Sequence, residues 1–340
     1  MRITSEQAVA YRLLANHLID RLPRGAYAEA AYAGLQDTAP RDALLALHAR
    51  VTDCAPAAWE DPALIQTYSP RAAVHVLPAK DFGVFTVGRL PCDDAAAKHL
   101  DDVATAICRA LGGHEVRATE LAGRYRTEPP RPRGRELDEL RPACATGRIA
   151  LRWTTSALWV HEVPRPDLDR TEARRELLHR HLRRFAPTTP QAFAWWAGLS
   201  APDARSTWAL LADELVEVDL DGTRAWIHQA DEPAFSGVPE PHGVRLLVEP
   251  DLRLLGRDRS GLFAGPGKRP LTPATDTFHP NGVLVDGRIV GAWGRKGGRV
   301  SVKLSEPLTA AQRDAVSAEA TSFPIPGAGE ISVAITEWTG

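Results

Sequence analysis

Residues 187–228 restrict the fold of this chain more than any other stretch. Thr188 or Thr189 can cap a helix whose first turn carries Pro190, a position where the missing amide costs nothing. Phe193, Trp196 and Ala197 form one apolar face of that helix, and Gly198 ends it. Ser200 then caps a second helix with Pro202 in its first turn and Ala204, Trp208, Leu211 and Ala212 at helical spacing. Leu215 to Leu220 alternates with period two, Asp221 and Gly222 suit a type I′ turn, and Thr223 to His228 returns. Helix, turn, helix and hairpin make a winged helix, whose second helix can enter a major groove. Architecture alone leaves another use open, because winged helices also dock proteins.

At 340 residues the chain exceeds the size at which one hydrophobic core keeps growing, so two or more cores are expected. The formal net charge of -2 argues against a uniformly basic nucleic-acid binder and restricts any DNA surface to a local patch. Lysine is confined to Lys80, Lys98, Lys268, Lys296 and Lys303, so arginine supplies most of the cations. That bias suits bidentate phosphate contacts, and GC-rich coding produces it equally well. Cys54, Cys92, Cys108 and Cys144 are widely spaced, which points to neither a zinc site nor a disulfide framework. Met1 to Gln7 reads as the start of a capped helix, and no apolar run reaches membrane-spanning length. A cytoplasmic protein without metal or cofactor is the expectation.

The same module recurs. Thr4 or Ser5 starts a helix through Val9, Leu13 and Leu18, a second follows Pro23 through Ala33, and a third carries Leu44, Leu47 and Val51 ahead of an extended stretch from Leu64 to Leu77. A second unit comprises helices over 94–111, 114–123 and 135–145 and a hairpin of Arg148–Trp153 with Ala157–His161. The chain thus divides into winged-helix units at 1–92, 93–166 and 167–230, without obvious identity between repeats. Beyond them, residues 240–340 are rich in short strands, with Asp286-Gly287 as another hairpin turn, and suggest a small β-barrel or open sheet with one helix near Thr309 to Thr321.

Three basic segments stand out. Arg124, Arg126, Arg131, Arg133 and Arg135 alternate with prolines, and could track a phosphate backbone or form a solvated loop. Arg170, Arg174, Arg175, Arg180, Arg183 and Arg184, offset by Glu172 and Glu176, read as a charged outer helix face. Arg295 and Lys296 lie in a glycine-flanked turn that can approach a DNA groove.

Five segments, in order, carry a resemblance: Gly34-Leu-Gln-Asp-Thr-Ala-Pro-Arg-Asp-Ala43; Ser69-Pro-Arg-Ala-Ala-Val-His75; Phe193 to Gly198; Val244-Arg-Leu-Leu247 with Leu255-Gly-Arg-Asp-Arg-Ser260; and Val285 to Trp293. Over nearly its whole length the chain resembles the winged-helix family of the azinomycin-resistance DNA glycosylase, the AlkZ-like family. The resemblance implies an α+β protein with three tandem winged-helix units in a C shape plus a C-terminal β-barrel, and duplex DNA, alkylated or crosslinked, in the concave centre. It implies excision of N-alkylated purines by a monomer, with neither metal nor cofactor. It also implies a Gln-apolar-Gln or Gln-apolar-Asp motif whose polar side chains hold the hydrolytic water.

An alkylated purine is already a good leaving group, so the enzyme must mainly stabilise an oxocarbenium-like sugar and place water beneath it. Residues i and i+2 of an extended segment point the same way, which explains the spacing of the motif. Here it reads Gln36-Asp37-Thr38, with Asp in the apolar position and Thr in place of the second polar residue. Gln36 with Asp37 or Thr38 is the candidate catalytic set. Asp37 or Thr38 alternatively caps the helix that begins near Pro40. Arg41, Arg71 and His75 join the basic residues above as candidate DNA contacts, with His75 equally at home as a packed strand position. Asp251 and the Arg257-Asp258-Arg259 run suit an internal ion-pair network as well as DNA. The alternative function is a non-catalytic winged-helix DNA-binding or regulatory protein.

Overall fold

A computed structural model describes residues 1–37, 41–69, 71, 73–125, 138–154, 156–256 and 281–337. The chain opens with strand β1 (Arg2–Ile3) and helix α1 (Ser5–Ala15), which starts in a capping box of Thr4 and Gln7. Helix α2 (Tyr27–Ala30) is shorter than the sequence suggests, and strand β2 (Leu35–Gln36) and helix α3 (Asp42–Arg50) follow. The extended stretch is a hairpin, β3 (Leu64–Ser69) and β4 (Ala73–Pro78), leading into α4 (Phe82–Thr86). Helix α5 (Asp94–Leu111) is capped by Asp93 and ends at Gly112 in the left-handed region. Strand β5 (Val116–Arg117), helices α6 (Ala118–Arg124) and α7 (Leu140–Ala143), and the hairpin β6 (Ile149–Trp153) and β7 (Leu158–Glu162) complete this part.

Helix α8 (Arg170–Phe185) precedes the segment that the sequence marks most clearly. Thr189 caps α9 (Pro190–Ala197), Gly198 terminates it at φ +67°, and Ser200 caps α10 (Ala201–Ala209). Strands β8 (Leu215–Leu220) and β9 (Thr223–His228) pair along their full length across Asp221 and Gly222, both at positive φ, as a type I′ turn requires. Helix α11 (Glu232–Ser236), strand β10 (Val244–Leu247), helix α12 (Glu249–Leu255), strands β11 (Asn281–Val285), β12 (Arg288–Lys296) and β13 (Arg299–Leu304), helix α13 (Ala310–Thr321) and strand β14 (Ser332–Glu337) follow.

The strands form three sheets. Six strands run in the order β2-β4-β3-β6-β7-β5, so the first two hairpins share one sheet, joined where Gln66 pairs with Leu151. In the second sheet, β1 lies parallel to β8 and extends the β8–β9 hairpin to three strands. Neither long-range pairing follows from local sequence pattern.

The third sheet corrects an expectation. Strands β10 to β14 form an open five-stranded sheet in sequence order and no closed barrel among the described residues. The reason is the final connection: α13 carries the chain back so that β14 adds parallel to β13, leaving β10 and β14 as separate edges. Val244, Leu246, Val283, Val300, Val302, Val316 and Phe323 fill the core beneath it, which is continuous with Leu44 and Leu47 of α3.

A second correction concerns α8. Arg174, Arg180 and Arg184 are buried and face inward. Arg174 bonds the Leu90 carbonyl, Arg180 bonds the Tyr32 carbonyl and Asp81, and Arg184 bonds Glu29. Leu177, Leu178 and Leu182 are fully buried beside them, so α8 is bonded inward by three of its arginines, while Arg175 and Arg183 stay on its exposed face.

Candidate functional site around Gln36

Strand β2 is only two residues long, and its pairing with β4 decides where Gln36 points. Leu35 lies opposite Val76 and Gln36 opposite His75, and the Asp37 amide donates to the Val74 carbonyl at 2.9 Å. By the alternation of antiparallel ladders, Gln36 and His75 form a non-hydrogen-bonded pair, in which side chains approach most closely. On the other side of β4, Thr67 of β3 lies opposite His75, so Gln36, His75 and Thr67 line up on one face. Gly34 makes the entry possible: at φ +78°, a Cβ there would sit 2.9 Å from Leu77 Cδ2.

Gln36 is 6% exposed and His75 is 1% exposed. His75 Nδ1 lies 3.0 Å from the Ala73 carbonyl. A carbonyl only accepts, so Nδ1 carries the proton and Nε2 is the acceptor of the neutral ring. Burial, reinforced by the Arg71 cation and more weakly by Arg89 and Arg253, pushes the His75 pKa down to about 3. The ring is neutral at physiological pH.

Arg71 sits at the β3–β4 turn with φ +57°, a conformation that non-glycine residues rarely adopt. Its Nη2 donates to Gln36 Oε1, and its guanidinium carbon lies 4.3 Å from the centroid of the Trp195 ring on α9. Arg253 of α12 also faces Trp195, at 5.9 Å. Arg89, half-buried, donates to the carbonyls of Ala197 at 3.1 Å and Tyr68 at 3.2 Å and so ties the end of α9 to β3. Trp195, Arg89 and Arg253 were not singled out by the sequence. The available signal was the Trp195-Trp196 doublet: Trp196 belongs to the apolar face of α9, which leaves its neighbour pointing elsewhere.

Asp37 turns away from Gln36. Its Oδ1 accepts from the Ala43 amide at 3.1 Å and its Oδ2 from Arg41 Nη1 at 3.2 Å, so the carboxylate closes the N-terminus of α3. Of the alternatives open for this residue, capping describes its bonds. Burial pushes the carboxyl pKa up, opposed by the Ala43 amide, the Arg41 cation and the Asp42 amide. Arg41, expected at DNA, is corrected to an internal position. It is 5% exposed, donates to the Trp153 carbonyl at 2.8 Å, and stacks 3.5 Å from the centroid of Trp59. Its charge is already matched by Asp37.

Asp251 is likewise internal, held by Arg50 through bonds of 2.7 and 3.0 Å. Arg295 and Lys296 are exposed where β12 turns into β13, a placement open to a large polyanion. Thr38, Arg126, Arg131, Arg133, Arg135 and the Arg257-Asp258-Arg259 run lie outside the described residues.

One group among the described residues has donor atoms spaced for a metal: His179, Glu214 and His228. His228 Nδ1 accepts the Ala230 amide at 3.1 Å, so the neutral ring carries its proton on Nε2, which lies 3.1 Å from Glu214 Oε2. That tautomer supports an ion-pair-like bond and withholds the lone pair that a metal would need. The cluster lies on α8 and the β8–β9 sheet, away from the sheet that carries Gln36.

Comparison with known proteins bears on the family of the chain. A curated interstrand DNA cross-link repair glycosylase of Streptomyces sahachiroi is 29% identical over 136 residues, 39% of this chain. The matched stretch spans 36% of that relative's own length. The solved structure of the Streptomyces sahachiroi DNA glycosylase AlkZ superposes with a TM-score of 0.77 at 19% identity, covering 98% of this chain and 100% of that one, a likeness of fold. Residues 30–323 match the family described as DNA glycosylase AlkZ-like, and with most of its length covered the chain belongs to the AlkZ-like DNA glycosylase family.

Proposed function

We propose that this chain hydrolyses the N-glycosidic bond of alkylated purines in duplex DNA, with Gln36 holding the hydrolytic water. The observation that carries the reading is the position of Gln36, strand-fixed on a sheet face shared with His75 and bordered by Arg71 and Trp195. The leaving group of such a substrate is cationic and departs readily, so a positioned water and a field that suits the sugar cation are the main requirements. Flanking phosphates would be met by arginines at the rim, with Arg295 and Lys296 as further contacts. Arg126, Arg131, Arg133 and Arg135, outside the described residues, are proposed as phosphate contacts from their sequence alone. The name of the Streptomyces sahachiroi relative extends the substrate class to interstrand crosslinks, which we include.

The proposed organisation has winged-helix units at 1–92, 93–166 and 167–230 around a C-shaped cleft, followed by the 240–340 domain. Its support is the recurrence of helices followed by a hairpin: β3–β4, β6–β7 and β8–β9. We assign the protein to the cytoplasm, at the nucleoid, as a monomer. No described helix is long and apolar enough to cross a membrane.

Asp37 favours a second reading. With its carboxylate committed to α3, Asp37 does not offer itself as acceptor for the proton of a water at Gln36, as expected of a non-catalytic DNA binder. Incubation with duplex DNA carrying N7-alkylguanine, followed by hot alkali, separates the two. Strand breaks abolished by Gln36→Ala are expected. Intact strands with salt-sensitive binding to the same duplex would establish the second reading.

A further inference from the structure

We infer that Arg71, clamped by Trp195, is a positioning residue for Gln36, and that it fixes which end of the Gln36 amide faces the substrate. The inference rests on the proposed role of Gln36 as the residue holding the hydrolytic water. A glutamine amide presents an acceptor at one end and two donors at the other, and its partners decide the orientation. Arginine has donors only. Its bond to Gln36 therefore selects Oε1, and the amide nitrogen is directed elsewhere.

Arg71 is itself held at both ends, through its backbone and through its guanidinium. The Trp195 ring lies against it, which lowers its freedom and favours its charge through the ring face. Its backbone occupies the left-handed region at φ +57°, a strained conformation maintained by what surrounds it. Gly198 presses on that backbone: a Cβ at 198 would lie 2.6 Å from the Arg71 nitrogen, so the end of α9 and the β3–β4 turn touch main chain to main chain. Through these contacts α9 and the turn set the Gln36 side chain jointly. Gln36 then meets the water chiefly as a donor, through its amide nitrogen. The neutral His75, whose Nε2 carries the lone pair, shares the sheet face of Gln36 and can orient the water by accepting a hydrogen bond, while the water's proton is lost to solvent once its oxygen has added to the sugar cation.

A simple phosphate contact predicts different behaviour, which makes the assignment testable in the full chain. Arg71→Lys keeps the positive charge and loses the planar fork and much of the stack on Trp195. As a positioning defect it lowers kcat for release of N7-alkylguanine by about 100-fold. KM and the salt dependence of binding stay close to those of the unchanged protein. Trp195→Leu, which leaves Arg71 in place without its stacking partner, lowers kcat in the same sense by a smaller factor. Rescue by lysine, together with Arg71→Ala reducing the slope of log K against log salt by about one, would overturn the assignment in favour of a phosphate contact.

If the unchanged protein releases no base, the failure belongs to the proposed reaction, and the clamp is judged by thermal unfolding instead. The Tm shifts of Gln36→Ala and Arg71→Lys should then sum to more than the shift of the double variant. Additive shifts would overturn the coupling whatever the activity.

Discussion

The hairpins β3–β4 and β8–β9 have strands of the same length and pair along all of it, yet opposite forces hold them. In β8–β9 the strands alternate in burial and the turn carries Asp221 and Gly222, so pattern and turn chemistry specify the hairpin locally. In β3–β4 the last four residues of β3 and last five of β4 are all buried, including Gln66, Thr67, Ser69 and His75, and the turn residue Arg71 is left-handed without being glycine. This hairpin is shaped by β2, β6, α9 and the loop that carries Asp37. The comparison teaches that the candidate site sits where tertiary contacts override local preference, while the regular hairpin carries none of the site around Gln36.

Five substitutions, one of them read by pH titration, probe that contrast. The largest effect is expected from Asp37→Ala beside the tertiary hairpin, which leaves the buried Arg41 cation unmatched and should lower unfolding free energy by about 3–5 kcal/mol. The equivalent change in the local hairpin, Asp221→Ala, removes a surface bond to the Ser5 amide and should cost about 1 kcal/mol in the same urea titration. Equal losses would break the distinction. A paired glycine test follows. Gly198→Ala combines a φ of +67° with a clash against Arg71 and should cost about 2–4 kcal/mol, whereas Gly222→Ala meets open space and should cost only the backbone penalty of about 1–2 kcal/mol.

The pH dependence sharpens the same contrast. With His75 at about 3 when folded and near 6.5 when unfolded, the unfolded chain binds the extra proton between those values. The stability that this neutral ring contributes is complete above 6.5 and is lost as pH falls toward 3, at ~1.4 kcal/mol per pH unit. His75→Asn should remove one such increment from the slope of stability against pH between 6.5 and 5. An unchanged slope would show that the ring is protonated, or water-exposed, inside the folded hairpin.

Much of the fold was legible in the sequence wherever order is short-ranged. Thr4, Thr189 and Ser200 cap helices, Gly198 stops one, and Asp221-Gly222 turns a hairpin, because each acts on residues a few positions away. What escaped was set by distant partners. A repeated Arg pattern on a helix suggests a wet face unless carbonyls and carboxylates elsewhere are known to receive it, as they receive Arg174, Arg180 and Arg184. Closure of the last sheet depended on whether β14 met β10 or β13, which no local signal decides. At the site, Gln36 was found through its motif, whereas the direction of Asp37 and the attachment of Arg71 to Trp195 required the packing of three separate segments.

The parallel pairing of β1 with β8 bears on synthesis of the chain. Ile3 meets Leu220, so the first strand stays without its neighbour until the ribosome has released a segment more than two hundred residues later. At ordinary translation speeds that is a wait of roughly 10 to 40 s. During it, Ile3, Ala8 and Tyr11 lack the Val218, Leu220 and Phe235 side chains that later bury them. The segment of β1 and α1 is therefore among the last parts to be completed, and the nascent chain must keep its apolar edge from finding other company in the meantime.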